Sequence, residues 1–349
     1  MRPPERILVF QTAFLGDVIL TLPLMQVLRS RFPKAHIACV TIPGAAPLLA
    51  HHTAVDECIE FDKRGIHRGI GGIIRFKKIL QQKGFDLAMV PHRSLRSAAV
   101  VRLAGVPRRV GFSTSAGRMF LTDVVRYDPH AHEISRNLSL LGPLGIDADP
   151  LVLPTLFPGM EDKDRVNGFL AQYPSILAAN LVGVAPGSVW NTKRWPIEKF
   201  VELVRLLGAN GFSVVLIGGE ADRKLADEIE KQSGTLPVLN AVGKLTLLQS
   251  AELIRRCRAI VSNDSAPMHM AVAMRTPVVG IFGATVPEFG FAPAGEHDVV
   301  VQTHGLPCRP CSIHGGEKCP IKTFVCMKNI AVDEVMRNVQ ILVSTVSTK

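Results

Sequence analysis

The chain has 349 residues, which is long for one domain and sufficient for two at roughly 150 residues each. Hydrophobic residues make up 47% of it and charged residues 20%, so the composition excludes extended disorder and supports large buried cores. The formal charge of +10 favours anionic partners, whereas an aromatic content of 6% argues against stacking platforms for single-stranded nucleic acid. We therefore expect no nucleic-acid partner.

The first apolar run, Ile7–Phe10, is too short to be the core of a signal peptide. No apolar run approaches the roughly 18 residues of a membrane-spanning helix, so we expect a cytoplasmic protein with reduced cysteines. Much of the basic excess falls in the first half, at Lys63, Arg64, Arg68, Arg75, Lys77, Lys78, Arg93, Arg96, Arg102, Arg108 and Arg109.

Short apolar runs alternate with stretches of helical spacing in the first half. The predicted strands are Ile7–Phe10, Ile37–Ile42, Cys58–Phe61, Phe85–Val90 and Arg109–Phe112. The predicted helices are Leu22–Phe32, Gly72–Gln82 and Ser94–Ala104, with Pro23 either starting the first near Thr21 or bending it. Continuous apolar strands between helices indicate a parallel sheet that is covered on both faces.

Residues 147–160 are rich in Pro and Gly and predict a linker, with Asp147-Ala148-Asp149 as a turn. A second alternating series follows. Its predicted strands are Leu181–Ala185, Val214–Ile217, Ala259–Ser262, Val278–Phe282 and Val299–Gln302. Its predicted helices are Glu198–Leu207, Ala221–Lys231, Leu247–Cys257 and Val332–Thr345.

These series predict an α/β chain of two doubly wound, Rossmann-like parallel-sheet domains that face a central cleft. We place them at residues 1–158 and 159–330, and expect the C-terminal helical segment 331–349 to pack back toward the first domain. Ligands of such sheets gather beyond the carboxyl ends of the strands.

The first candidate site is the turn Gln11-Thr12-Ala13-Phe14-Leu15-Gly16-Asp17, directly after the first strand. Gly16 permits close backbone approach, and Asp17 could act as a general base toward an acceptor hydroxyl. Its spacing fits an aspartate that caps the next helix equally well. The turn holds no GxGxxG pattern, so a dinucleotide fingerprint is not supported.

The second candidate is the loop from Ala185 to Pro196. Gly187 and Ser188 offer backbone and hydroxyl donors, and Lys193 offers a point charge suited to a diphosphate. We expect its two tryptophans to pack rather than to stack on a ligand. After the next strand, Gly219 in Gly218-Gly219-Glu220 could border a nucleotide.

The third candidate is Ser262-Asn263-Asp264-Ser265-Ala266-Pro267-Met268-His269. Asp264 or Ser265 can cap a helix whose first turn holds Pro267. The positive end of that helix suits a phosphate, while Asp264 and His269 add sugar-binding and hydrogen-bonding groups. An ordinary capped helix is the alternative.

The fourth candidate is a cluster of cysteines at 308, 311, 319 and 326. Cys308, Cys311, Cys319 and Cys326 could hold a structural zinc ion, with His304 or His314 as substitute ligands. The alternative is a loop of reduced thiols without metal. We expect the remaining cysteines, Cys39, Cys58 and Cys257, to be buried packing residues.

Together these motifs resemble glycosyltransferase family 9, the ADP-heptose:lipopolysaccharide heptosyltransferases, and within it the heptosyltransferase II branch. The matching segments are Phe14–Pro23, Pro186-Gly187-Ser188-x4-Lys193-Arg194-Trp195-Pro196, Asn263-Asp264-Ser265-x3-His269 and Phe282–Pro293. Cys308-Arg309-Pro310-Cys311 also resembles a subgroup of that family. The similarity extends from the first predicted strand to about residue 330.

The resemblance implies a GT-B fold with an acceptor-binding first domain and an ADP-sugar-binding second domain. It implies an inverting, metal-independent transfer of heptose from ADP-heptose to the inner core of lipopolysaccharide, on Kdo-lipid A bearing heptose. No cofactor is then required for catalysis, and zinc would be structural only. The basic first domain would dock electrostatically, as a peripheral protein, at the cytoplasmic face of the inner membrane.

The resemblance also implies roles for single residues. Asp17 matches the catalytic base, Lys193 the lysine that neutralises the diphosphate, and Asp264 the residue that holds the donor heptose. The other residues assigned to the donor are Gly187, Ser188, Gly219, Ser265, Ala266 and His269, and those assigned to the acceptor are Gly16 and Arg93. Ala266 stands where the family usually has glycine, and its methyl group narrows the backbone approach to the diphosphate.

Three alternatives stay open. A member of this family with another donor sugar or acceptor, such as heptosyltransferase I or a later core enzyme, would have the same fold. A zinc-stabilised nucleic-acid-binding protein would account for the charge and the cysteines, but the scattered basic residues argue against it. A non-catalytic sugar-nucleotide sensor is the third, and Asp17 argues against that.

Overall fold

The computed structural model describes residues 2–147, 152–174, 176, 180–234 and 236–346. The chain divides into two compact units, Met1–Phe157 and Pro158–Lys349. Two residues of the predicted turn, Ala148 and Asp149, lie outside the described residues.

The first unit holds a six-stranded parallel sheet in the order β3-β2-β1-β4-β5-β6. Its strands are β1 (Arg6–Phe10), β2 (His36–Thr41), β3 (Glu57–Glu60), β4 (Leu87–Val90), β5 (Arg108–Phe112) and β6 (Asp123–Val125). Its helices are α1 (Leu15–Arg31), α2 (Gly69–Lys83), α3 (Leu95–Leu103) and α4 (Glu133–Ser139). In the central strand, Leu8 lies opposite Ala38 of β2 and Ala88 of β4.

The second unit repeats this plan with a six-stranded parallel sheet in the order β12-β11-β10-β7-β8-β9. Its strands are β7 (Leu181–Ala185), β8 (Ser213–Leu216), β9 (Val238–Asn240), β10 (Ala259–Asn263), β11 (Val278–Phe282) and β12 (Val299–Gln302). Its helices are α5 (Met160–Leu170), α6 (Ile197–Ala209), α7 (Arg223–Gln232), α8 (Leu247–Arg255), α9 (Ala266–Ala273), α10 (Val325–Lys328) and α11 (Val332–Val346). All five residues of β7, β10 and β11 are buried, as expected for strands with helices on both faces.

The strand orders show where the candidate turns lie in each sheet. In the first unit the chain moves outward from β1 to β3 and then returns beside β1 with β4, so the strand order reverses between β1 and β4. In the second unit the same reversal falls between β7 and β10. Open α/β sheets bind ligands in the crevice beyond the carboxyl ends of the strands at such a point. The predicted motifs follow β1, β7 and β10, so they stand at these crevices.

The predicted α/β class with two parallel sheets is confirmed, and the predicted element boundaries agree with the structure within a few residues at most positions. One alternative for the first helix is wrong, because α1 begins at Leu15 rather than near Thr21 and Pro23 lies inside it. The earlier start is fixed by Asp17, whose Oδ2 accepts a hydrogen bond of 3.1 Å from the Phe14 N–H. The sequence did not predict β6, β9, α4, α5 or α10.

The C-terminal helix α11 has an apolar face that packs against α6 and against strands β10 and β11. Val335, Met336, Val339 and Leu342 are almost fully buried in the core of the second unit. The predicted packing of this segment toward the first unit stays a prediction. Among the described residues, the structure has no helix that is both long and apolar enough to cross a membrane.

Candidate active site

The turn after β1 is held by buried polar contacts. Gln11 accepts a hydrogen bond from the Ala13 N–H at 3.3 Å and donates to Thr21 Oγ1 at 3.1 Å. Thr21 in turn donates to the main-chain oxygen of Asp17 at 2.7 Å. Asp17 is therefore fixed in the first turn of α1, half-buried, and its carboxylate caps the helix through Phe14. Gly16 lies in the same turn.

Charged groups from other elements surround Asp17. Lys63 Nζ donates to the main-chain oxygen of Thr12 at 2.6 Å. Burial lowers the pKa of Lys63. The charges of Arg64 and Arg96 lower this pKa further, whereas the charge of Asp17 raises it. Burial raises the pKa of Glu133 to about 7, and Asp17 adds to this rise while Arg136 and Arg93 oppose it. Asp17 therefore faces a positive charge at Lys63 and a second carboxyl group at Glu133.

His92 follows β4 and lies beside the same turn. Its Nδ1 is 2.9 Å from Thr12 Oγ1 and 3.1 Å from Ser97 Oγ. Burial, followed by the charges of Lys63 and Arg93, lowers the pKa of His92 to about 4. The ring is therefore neutral at neutral pH and serves as a hydrogen-bonding group.

The guanidinium of Arg93 forms a cation–π contact with an aromatic ring. Its guanidinium carbon lies 4.4 Å from the centroid of the Tyr127 ring, and that of Arg136 lies 5.0 Å from the same centroid. Arg136 is 2% exposed and pairs with Glu133 at 2.8 Å. Among the described residues, the Arg93 guanidinium makes no hydrogen bond or ion pair, so it is available to an anionic group.

The sequence analysis missed Glu133, Arg136 and Tyr127. The only available signal was the Glu133–Arg136 spacing of three residues, which is typical of any solvent-exposed helix. Their contacts depend on burial, and α4 was not predicted.

In the second unit, Lys193 and Asp264 form an ion pair. Lys193 Nζ lies 2.6 Å from Asp264 Oδ2, and the two side chains are only 13% and 7% exposed. Thr285 Oγ1 donates to the same carboxylate oxygen at 2.7 Å. Lys193 follows β7 and Asp264 follows β10, so the pair stands where the strand order reverses. The structure thus brings together two residues that the sequence predicted separately.

Asn263 joins the two turns that carry this pair. Its side chain is completely buried, accepts a hydrogen bond from the Trp195 N–H at 3.1 Å and donates to the Pro186 oxygen at 2.7 Å. The indole of Trp195 is 2% exposed and packs edge-on against Phe200. The predicted packing role is therefore confirmed for Trp195.

Helix α9 begins at Ala266 with Pro267 in its first turn, as predicted. Ser265 occupies the N-cap position, but the predicted side-chain cap is wrong, because no cap side chain accepts from the helix. The Ser265 hydroxyl instead donates to the Asn263 oxygen at 3.3 Å. Ala266 is half-buried, and His269 is buried one turn later.

The glycine turns after β7 and β8 meet at Asp222. A Cβ atom on Gly187 would lie 2.2 Å from the Asp222 carboxyl carbon, so only glycine fits there without a shift. The Gly219 N–H donates to Asp222 Oδ2 at 3.1 Å. Ser188 is buried, and its main-chain oxygen accepts from Arg194 Nε at 2.8 Å. Asp222 was missed, and its three-residue spacing from Gly219 could have indicated it.

The described residues give no support to the tentative zinc site at the cysteine cluster. Within the part of the chain that the structure describes, which includes all four cysteines, no group of three or more His, Cys, Asp or Glu side chains is placed to hold a metal ion. Burial would raise the pKa of the Cys319 thiol, but backbone N–H groups of residues 321–324 outweigh it and lower that pKa. Of the other three cysteines, Cys39 and Cys257 are buried as predicted, whereas Cys58 is half-buried.

The loop that carries these cysteines forms hydrogen bonds with residues around the Lys193–Asp264 pair. The Arg309 guanidinium donates to the main-chain oxygens of Gly283, Thr285 and Thr303 and to the Gln302 side chain, the last three at 2.8, 2.7 and 2.7 Å. The Gly316 N–H donates to Thr192 Oγ1 at 2.8 Å, and the Thr192 N–H donates to the Gly316 oxygen at 2.9 Å. The loop thereby contacts Thr192, which precedes Lys193 in the chain, and Thr285, which donates a hydrogen bond to Asp264.

Known proteins share this organisation. Residues 73–319 match the model of glycosyltransferase family 9 (heptosyltransferase). Lipopolysaccharide heptosyltransferase 2 of Escherichia coli K12 is 30% identical, with 81% of this chain and 84% of that protein covered. Lipopolysaccharide heptosyltransferases 1 and 3 also match, at 27% identity.

Two solved structures are similar over nearly the whole chain. The family 9 glycosyltransferase of Veillonella parvula DSM 2008 superposes with a TM-score of 0.87 at 26% identity and covers 98% of both chains. The ADP-heptose lps heptosyltransferase II of E. coli has a TM-score of 0.80 at 27% identity and covers 98% of this chain and 99% of that one.

Proposed function

Because the chain belongs to glycosyltransferase family 9 and is therefore a glycosyltransferase, we propose that it transfers heptose from ADP-heptose to the inner core of lipopolysaccharide. In this proposal it is a heptosyltransferase II-like enzyme that inverts the anomeric centre and needs no metal or other cofactor. The observation that carries the proposal is the buried Lys193–Asp264 pair at the reversal point of the second sheet.

The second unit supplies the donor half. Lys193 neutralises the diphosphate, together with the start of α9 at Ser265 and Ala266, which directs the positive end of its dipole toward negative charge. Asp264, held by Thr285, then accepts hydrogen bonds from the donor heptose. The remaining donor contacts are Gly187, Ser188, Gly219 and His269.

The first unit supplies the acceptor half. Asp17 removes the proton from an acceptor hydroxyl while that oxygen forms a bond to the anomeric carbon. The bond from the anomeric carbon to the diphosphate oxygen breaks in the same step, and a single displacement of this kind inverts the configuration. ADP leaves with its negative charge stabilised by Lys193 and the α9 dipole. Arg93 and Gly16 contact the acceptor, and Arg93 faces its anionic groups.

A second candidate is a family 9 enzyme with another acceptor or donor, and the matches to heptosyltransferases 1 and 3 favour it as the alternative. Since the acceptor is part of a lipid, we also propose that the enzyme works as a peripheral protein at the cytoplasmic face of the inner membrane. The basic residues of the first half support this placement.

The acceptor step can be tested directly. The purified protein is incubated with ADP-heptose and EDTA on core acceptors that carry no heptose, one heptose or two. ADP release and product mass are measured for each. Turnover on the acceptor with one heptose is the expected result. Turnover only on the acceptor without heptose would establish the heptosyltransferase I reaction instead.

A further inference from the structure

Three isoleucines that lie close together in the chain are exposed in the first unit. Ile66, in the loop before α2, is 67% exposed, and Ile70 and Ile74 on α2 are 78% and 49% exposed. Ile70 and Ile74 are four residues apart and therefore share one face of the helix. We refer to Ile66, Ile70 and Ile74 as the isoleucine patch. Clustered exposed apolar side chains of this kind mark interaction surfaces in soluble proteins.

Basic residues surround the isoleucine patch. The segment from residue 63 to residue 83 contains no acidic side chain. Its basic side chains near the patch are Arg64, Arg68, Arg75, Lys77 and Lys78, of which Arg64, Arg68, Arg75 and Lys78 are exposed. The carboxylate of the preceding Asp62 is bound by its own loop, because it accepts hydrogen bonds from the N–H groups of Gly65 at 2.8 Å and of Arg64 and Ile66 at 3.2 Å.

The isoleucine patch is also pre-formed. The buried His67 ring stacks on Phe61 at 5.4 Å and meets Phe76 edge-on at 4.8 Å. Arg75 donates to the Ile66 oxygen at 3.0 Å and ties the loop to α2. A Cβ atom on Gly72 would lie 2.3 Å from the main chain of His67, so the loop and helix are in direct contact. Binding through such a surface loses little conformational entropy.

We propose that the isoleucine patch and its basic rim dock on an anionic phospholipid surface, with the isoleucine side chains entering the headgroup layer. An apolar helix face bordered by Lys and Arg fits the boundary between acidic headgroups and acyl chains. This proposal rests on the proposed function in one respect, since it explains how an acceptor anchored in a membrane meets the enzyme.

The isoleucine patch is connected to the turn of Asp17 through the loop that carries Ile66. Lys63 lies at its edge and donates to the Thr12 oxygen in the turn that carries Asp17. Arg96 donates to the Lys63 oxygen at 3.4 Å. Lys63 thus links the loop that carries Ile66 to the turn that carries Asp17.

Docking by charge alone and docking with inserted isoleucines differ in their salt dependence. At about 1 M salt, attraction between exposed charges is screened within about 3 Å, whereas apolar burial persists. We therefore expect the protein to co-sediment with vesicles of phosphatidylglycerol and phosphatidylethanolamine, and to keep a measurable bound fraction at that salt concentration. It should bind vesicles of phosphatidylcholine at least about tenfold more weakly at low salt.

The test compares the triple variant Ile66→Ser/Ile70→Ser/Ile74→Ser with the control Ile321→Ser/Ile341→Ser, which changes exposed isoleucines of the second unit. The patch variant should bind the anionic vesicles at least about tenfold more weakly and lose the salt-resistant fraction, because it buries less apolar area. The control should bind as the unchanged protein does. Equal binding of both variants would overturn the proposal, as would sedimentation of the unchanged protein without vesicles through self-association at this patch.

A second readout separates docking from chemistry. With a water-soluble core oligosaccharide acceptor, the patch variant should turn over at the unchanged rate, which also shows that it is folded. A loss of turnover there would place the isoleucines in the acceptor site and overturn the docking role. Vesicle binding without any transfer from ADP-heptose would refute the proposed function and leave the docking surface standing.

Discussion

At the scale of single residues, two aspartates that look alike in the sequence have different surroundings in the structure. Asp17 and Asp264 each follow a buried strand and precede a helix, so both suit helix capping. Asp17 does cap α1, whereas the carboxylate of Asp264 forms an ion pair with Lys193 and accepts a hydrogen bond from Thr285. The sequence predicted each residue, but it could not predict the Lys193–Asp264 pair, because 71 positions separate them and their proximity depends on sheet order.

The proposed role of Asp17 as base can be separated from its observed role as helix cap. Asn keeps an oxygen that can accept from the Phe14 N–H, so Asp17→Asn should fold as the unchanged protein does and bind ADP-heptose with the same affinity. It cannot take up a proton, and we expect transfer to fall by at least about 100-fold. Steady-state turnover, calorimetric donor binding and the melting temperature are measured together. Turnover near that of the unchanged protein would show that Asp17 is only a cap.

Gly187 and Gly219 provide a matched pair for the glycine turns. In Gly187→Ala the new Cβ collides with the Asp222 carboxyl group, so we expect a loss of about 1–3 kcal/mol in unfolding free energy and weaker ADP binding. A Cβ on Gly219 meets nothing within 4 Å, and its φ of −86° suits any residue. Gly219→Ala should therefore keep its stability. Denaturant unfolding of both variants checks this, and equal stability would contradict the close contact.

At the scale of elements, the strongest periodic signals were predicted correctly and the short edge elements were not. Strands such as β7 and β11 read as continuous apolar runs because helices cover both faces of the sheet. In contrast, β6 and β9 have three residues each, too few to show a period, and their sequences mix polar and apolar positions. Helix α4 is difficult to predict from the sequence for another reason. It buries Glu133, Arg136 and Asn137, although these residue types usually indicate a solvent-exposed segment.

The loop around Arg309 contacts the turn that holds Asp264, and we expect it to stabilise the proposed donor half. Arg309→Ala removes the bonds that hold residues 283–285, and Thr285 then holds Asp264 less firmly. We expect ADP to bind about tenfold more weakly, which corresponds to about 1.4 kcal/mol. The control is Arg337→Ala on the exposed side of α11. Calorimetric titration with ADP is the measurement, and an affinity equal to that of the control would exclude a bracing role.

Helix α8 carries a pH-dependent ion-pair cluster. The Glu252 side chain is fully buried and accepts hydrogen bonds from Arg255 and Arg256 at 2.6–2.8 Å. Burial would raise the pKa of Glu252, but these arginines outweigh it and hold the pKa below the usual 4.5. The unfolded chain therefore binds more protons in this range, and the stabilisation is present above pH 4.5 and lost as pH falls through the folded-state pKa.

Glu252→Gln removes this charge and should lower the unfolding free energy by about 2 kcal/mol at neutral pH. The difference between the variant and the unchanged protein should shrink as the pH falls below 4.5. Urea unfolding across this range measures it. A difference that stays constant with pH would show that the carboxylate charge does not stabilise the fold.

At the scale of the whole molecule, the chain repeats one plan and carries different polar residues in each copy. Both sheets reverse their strand order beside a central strand, and both place polar turns at that point. The first unit gathers Asp17, Lys63 and Arg93 there, and the second gathers Lys193 and Asp264. The sequence predicted the two sheets from alternation alone, but the buried cluster around Glu133 depends on tertiary packing and carries no local signal.

The central claim is that this enzyme transfers heptose from ADP-heptose. The most direct test gives the purified protein a core acceptor with one heptose, EDTA, and ADP-heptose, a UDP-sugar or a GDP-sugar in separate reactions. Nucleotide release and product mass are followed in each. We expect one added heptose with ADP-heptose and no product with the other two donors. Transfer from a UDP- or GDP-sugar with none from ADP-heptose would contradict this claim.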